Sequence, residues 1–220
     1  CRKHNCLLLL DTVTSLGGVP LYIDDWKVDL SYSCSQKGLS CPPGLGPFTM
    51  GPRAEAKMEA RSGKVPNWYL DVSLLNKYWG SDRVYHHTAP VNMNFGMREA
   101  LRLLAEEGLD QAWARHRRNA EALWSGMEGL GLTMHVPYER RLPTLTTVRI
   151  PDGVDGKAFS QHLLNTHGIE VGGGLGSLAG KIWRIGLMGF NSTPENVNHL
   201  LNLFETELPK FSGTTAAAAA

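Results

Sequence analysis

Residues 7–10 are an unbroken run of leucine that ends at Asp11. That pattern predicts a strand covered on both faces. A second strand-like run, 30–36, ends at Lys37 and Gly38. The turn Cys41-Pro42-Pro43-Gly44 then leads into a third strand over 45–50. Gly51-Pro52 opens a charged helix through Arg61, and 68–79 reads as another helix. Residues 90–107 place Met93, Met97, Ala100, Leu101 and Leu104 on one helical face, and Gly108 breaks the pattern. Leu109, Trp113, His116, Ala120, Leu123, Met127 and Leu130 then recur at spacings of four and three, a long helix with one buried seam. His116 lies in that seam and reads as a core histidine, not a ligand. The pattern changes at about Gly131. Strands are expected over 132–138, 145–150, 169–171 and 182–187, and a helix over 154–167. Thr193 reads as the N-cap of a last helix, with Pro194 at its first position. The last third is thus a mixed β/α unit joined through the helix at 109–130.

Composition narrows the function classes. Of 220 residues, 42% are hydrophobic and 20% charged, enough for a sizeable core and unlike a disordered chain. The formal net charge of +1 argues against nucleic acid or acidic lipid bound through bulk charge. No apolar run approaches a membrane span. The cysteines are Cys1, Cys6, Cys34 and Cys41, without a C-x-x-C or a His/Cys cluster at zinc spacing, so no metal is expected. Cys6 and Cys34, in strand-like runs, are expected to be buried free thiols, which favours a reducing compartment. A parallel strand so near the first residue lacks its crossover partner, which reads as a piece of a longer protein. Residues 213–220 read as a tail.

Four features carry candidate chemistry. Asp11 and Lys37 each leave the tip of a predicted buried strand, where α/β sheets bind ligands. A carboxylate and an amine so placed suit pyridoxal phosphate (PLP), the lysine attaching to the cofactor aldehyde and the carboxylate keeping the ring nitrogen protonated. The plainer alternative is a salt bridge at a strand end. Arg184 stands inside an apolar strand, where a guanidinium needs an anion: a ligand carboxylate or a structural Asp or Glu. Gly172-Gly-Gly-Leu-Gly176 contains a G-x-G-x-x-A pattern, but a strand and no helix follows it, so it reads as a loop that lets backbone approach a ligand. In Tyr85-His86-His87-Thr88 the two hydroxyls can reach a phosphate, while adjacent histidines are expected to point apart.

With Ser15-Leu-Gly-Gly18, Ser35-Gln-Lys37, Pro42-Pro-Gly44, Arg141-Leu-Pro-Thr144 and Arg184-Ile-Gly186 added, the chain resembles the C-terminal part of the alanine–glyoxylate (serine–pyruvate) aminotransferase family. That family lies in the class V group of fold-type I PLP enzymes. The resemblance implies an α/β fold: 1–107 as the remainder of the large, mostly parallel-sheet domain, and 108–212 as a smaller α+β domain. It implies PLP attached to Lys37, Asp11 on the pyridinium nitrogen, Val13 against the ring and Gln36 on the phosphate. Tyr85 and Thr88 would reach the phosphate of a neighbouring subunit in a homodimer, and Arg184 would clamp the substrate α-carboxylate. Substrates would be small amino acids and 2-oxo acids, in a peroxisomal or mitochondrial setting. Within the family, a 3-hydroxykynurenine transaminase is the alternative; outside it, a catalytically inert piece that only packs or dimerises. A cysteine desulfurase is excluded, since Gln36 precedes Lys37 and no cysteine follows Cys41. The family's glycine-rich phosphate turn, stacking aromatic and contacting serine have no counterpart here, and the loop 80–84 is shorter than usual.

Overall fold

The computed structural model describes residues 1–213. Its first sheet has β1 (Leu9–Asp11) parallel to β2 (Leu30–Tyr32), and β2 antiparallel to β3 (Phe48–Met50). All three strands are shorter than the apolar runs suggest. Ser33 and Ser35 still donate their N–H groups to Pro47 and Leu45, but Pro47 has no N–H to return, and the ladder ends. Among the described residues β1 is the edge strand of this sheet, and Leu9, expected to be covered, is 57% exposed. Cys6 is likewise exposed and Cys34 half-buried; the buried thiol is Cys41. Buried Asp29 anchors the sheet. It accepts from the Leu8 N–H at 2.8 Å and from Arg53 Nη1 at 2.9 and 3.0 Å.

Arg53 lies on α1 (Pro52–Glu59), opened by Pro52 at its first turn. Asp71 caps α2 (Val72–Trp79) through the Ser73 N–H. Gly108, at φ +84°, separates α3 (Val91–Glu107) from α4 (Leu109–Gly129). The apolar face of α3 is only half-buried, with Leu101 exposed. The expected seam of α4 holds at His116, Ala120, Leu123 and Met127, whereas Leu109, its first residue, and Leu130, its C-cap, are exposed.

The second sheet is antiparallel, ordered β4 (Leu145–Arg149), β6 (Ile182–Gly186), β5 (Gly172–Gly173). The strand expected over 132–138 is only a bridge between Met134 and Val148, and Pro137 ends it. The strand expected over 169–171 begins after it, at Gly172. With α5 (Gly156–His167) and α6 (Pro194–Glu207, capped by Thr193), this sheet encloses the main core. Phe159, Trp183 and Phe204 meet edge to face there, with centroids 5.0 to 5.5 Å apart. Their size is compatible with burial because the indole donors are satisfied: Trp183 donates to the Gly156 carbonyl and Trp124 to Thr146 Oγ1. Among the described residues, no helix is long and apolar enough to cross a membrane.

His116 is the core histidine its position implies, 1% exposed. Its Nε2 accepts from the Gly189 N–H at 2.8 Å, so Nδ1 carries the proton and donates to the Ala112 carbonyl at 2.7 Å. Burial, and then the Arg115 charge, pushes its pKa below 6.5, against the Ala112 bond and Glu107. The unfolded chain therefore binds a proton that the folded chain refuses. This stabilisation is complete above about pH 6.5 and is lost as pH falls through the lower folded value. His116→Ala should cost about 1–3 kcal/mol by orphaning the Gly189 N–H. Urea midpoints of both proteins against pH check this: the variant should lose part of the acid-side slope.

Candidate active site

Asp11 ends β1 and pairs in register with Tyr32, which ends β2. The strands are parallel, so both side chains leave the same end of the sheet. Tyr32 Oη donates to Asp11 Oδ2 at 2.7 Å, and the Val13 N–H donates to Oδ1 at 2.8 Å. These bonds, the tyrosine's first, hold the Asp11 carboxyl below its ordinary range. The same contact pushes the Tyr32 phenol up. The result is a fixed, ionised acceptor with neither oxygen spent on a cation, suited to a protonated ring nitrogen. Hydrophobic pattern gives no hint of Tyr32; the signal that finds it is strand register.

Lys37 lies in a stapled turn. Ser35 is fully buried; its Oγ donates to the Pro42 carbonyl at 2.7 Å, and its carbonyl accepts from the Cys41 N–H. Gln36 and Lys37 are left exposed between these anchors. The Lys37 amine has no hydrogen-bond or ion-pair partner among the described residues. The salt-bridge alternative is therefore not what is seen: the oxygens of Asp11 go to Tyr32 and Val13.

Two glycines bring the Asp11 and Lys37 loops together. A Cβ on Gly38 would stand 2.2 Å from the Leu16 carbonyl oxygen, and Gly17, at φ +84°, meets the Gly38 oxygen. Only backbone against backbone permits this approach. The second half of the chain closes on the same place. Phe190 donates its N–H to Ser40 Oγ at 2.8 Å, and Arg115 Nη1 donates to the Gly189 and Ser192 carbonyls. Between them lies an open cleft of about 540 Å³, lined by Gln36, Lys37, Ser40, Pro42, Gly186 and Met188 among others.

Arg184 corrects the expectation of a buried guanidinium. Trp183 and Ile185 face the core, while Arg184 faces the other way and is half-buried. Its Nε donates to the Gly173 carbonyl at 2.6 Å, and no carboxylate pairs with it among the described residues. The structural ion pair is absent, and the terminal nitrogens remain available. Arg184 stands two residues before Gly186 and does not itself line the cleft.

The glycine run also reads differently. A Cβ on Gly174 would meet the Leu178 carbonyl at 2.0 Å, so at Gly174 the close approach is to the chain itself. Tyr85 Oη and Thr88 Oγ1 bond each other at 2.9 Å and are not part of the cleft lining. The adjacent histidines do not point apart. Their segment is neither helix nor strand, and His86 Nδ1 lies 2.8 Å from His87 Nδ1. His86 also stacks on Trp68 and bonds its carbonyl. Val13, half-buried, contributes its N–H to Asp11.

Comparison with known proteins decides the family. Residues 1–200 match the model of the class-V aminotransferases. The chain belongs to that family. A marmoset (Callithrix jacchus) alanine–glyoxylate aminotransferase is 46% identical over 202 residues, covering 90% of this chain and 49% of the relative. The crystal structure of alanine–glyoxylate aminotransferase from Nostoc sp. superposes with TM-score 0.91 at 64% identity, covering 93% of this chain and 54% of that one. That of ureidoglycine–glyoxylate aminotransferase from Bacillus subtilis gives 0.92 at 37% identity, covering 99% and 56%. The chain thus spans about half the length of the relatives it matches. Its fold is that of the fold-type I PLP aminotransferases, and PLP is the cofactor this membership implies. The residues fit that group at two points: the ionised Asp11 acceptor and the unpaired Lys37 amine beside a cleft.

Proposed function

We propose that the protein carrying this chain is a PLP-dependent aminotransferase that moves an amino group from alanine or serine to glyoxylate or pyruvate. The observation that carries this reading is the free Lys37 amine at the cleft, with the charged Asp11 held at the neighbouring strand tip. Two similar structures are named for different amino donors but share glyoxylate, so the acceptor is the better supported half.

When bound, PLP supplies an electrophilic carbon and an electron-withdrawing ring. Lys37 would hold it covalently, and its amine would serve to move the proton at the substrate Cα. Asp11 keeps the ring nitrogen protonated, and Tyr32 keeps Asp11 oriented. Gln36 serves the phosphate and Val13 one face of the ring. Arg184 offers its free terminal nitrogens to the substrate carboxylate. Residues 1–107 belong to the large cofactor domain and 108–212 to the small one. Tyr85, 69% exposed, and Thr88 present a hydroxyl pair suited to the phosphate of a second subunit in a homodimer.

The test is amino transfer by the full-length protein, with alanine and glyoxylate giving pyruvate and glycine. Failure with every small amino donor would reject the proposal. Arg184→Lys keeps the charge but loses the planar fork. It should lower kcat/KM for alanine and glyoxylate together by about 1.5–3 kcal/mol, roughly one to two decades. Alkylamines, which lack the carboxylate, should be unaffected. Unchanged kinetics in a destabilised variant would make Arg184 structural.

A further inference from the structure

The ends of α5 and α6 bring together a side-chain cluster that the proposed reaction does not use. His162 and His167 lie on α5, the latter its last residue, and Glu207 is the last residue of α6. Their ligand atoms all fall within 4.8 Å of one another. His162 Nε2 is 2.7 Å from Glu207 Oε2, and His167 Nε2 is 3.9 Å from the same oxygen. His167 Nε2 is buried and has no hydrogen-bond partner, although a carboxylate stands just out of reach. An orphaned imidazole nitrogen is costly unless something fills the gap. The geometry points to a divalent transition-metal ion, zinc or one of its class, bound by His162, His167 and Glu207.

Two imidazoles and one carboxylate are a borderline donor set that suits zinc and leaves a fourth position for water. The surroundings match what such sites require. Thr166 Oγ1 lies 3.2 Å from His162 Nδ1, so the ring nitrogen turned away from the cluster has a hydroxyl to fix its orientation. Phe211 packs against the His162 ring, with centroids 5.2 Å apart. Lys210 Nζ sits 2.8 Å from both Glu207 oxygens, so a cation already occupies the carboxylate. At 60% exposure its ammonium can withdraw to solvent when a metal takes its place. An ion there would link α5 to α6 and satisfy His167. Spacing rules miss this site because the histidines are five positions apart and Glu207 lies forty positions beyond His167.

The test titrates the chelator-treated intact protein with zinc against a chromophoric competitor, and with cobalt by its visible absorption. One saturable site is expected, with a zinc-dependent rise in Tm. His167→Ala should weaken that site by more than about 100-fold, and Thr166→Val by about 10-fold. Lys210→Gln should tighten it, because the competing ammonium is gone; a merely structural ion-pair network would give no such gain. Circular dichroism and the zinc-free Tm verify that each variant folds. Zinc uptake that persists in His167→Ala, or no response in Lys210→Gln, would overturn the site, whatever the outcome of the transamination assay.

Discussion

Lys37→Ala in the full-length protein is expected to abolish covalent attachment of the cofactor and to lower turnover by roughly 10²–10⁴-fold, the range for a positioned acid–base group. The structure explains why no neighbour substitutes. Lys37 is exposed beside the cleft on a turn stapled by Ser35, and it is the only lysine among the cleft residues. Thermal stability should barely move, because the amine makes no contact that the fold depends on. Turnover by rapid mixing, with Tm measured alongside, checks both halves. A large loss of Tm would mean that the lysine is structural.

Asp11→Asn should retain the cofactor and lose roughly 10²–10³ in turnover, about 2.7–4 kcal/mol, the cost of removing one preorganised electrostatic contact. The substitution keeps the shape and the Val13 N–H bond, while the Tyr32 hydroxyl must turn to accept from the new amide N–H, so the main loss is the charge. That charge is secure in the native protein, because the Tyr32 and Val13 hydrogen bonds hold the carboxyl below its ordinary range. The native activity should therefore show no titration of this group near neutral pH. Single-turnover rates with alanine test the claim, and near-normal rates in Asp11→Asn would refute a role in holding the ring proton.

Lys37 does not stand at the strand tip expected of it, because β2 ends at Tyr32 and the lysine lies in the turn beyond. The strand-tip position of Asp11 was legible, because an apolar run that ends on a charged residue is a local signal. The seam of α4 was legible for the same reason, down to His116. What escaped depended on partners distant in sequence. Tyr32 acquires its role from register with Asp11, which the pattern of either strand alone does not specify. Arg184 looked buried because its neighbours are apolar, yet strand alternation turns it away from the core that Trp183 and Ile185 face. His86 and His87 were expected to diverge by rules for regular backbone, and their segment is irregular. The glycines at 17 and 38 are the clearest case: their necessity lies in a contact between two loops, visible only once both are folded.

The central claim is that Lys37 carries the cofactor. Borohydride reduction of the full-length holoenzyme, followed by peptide mapping, tests it most directly. The account predicts a pyridoxyl group on the peptide containing Ser35, Gln36 and Lys37, at the lysine. Label on Lys27 or Lys57, with Lys37 unmodified, would contradict it.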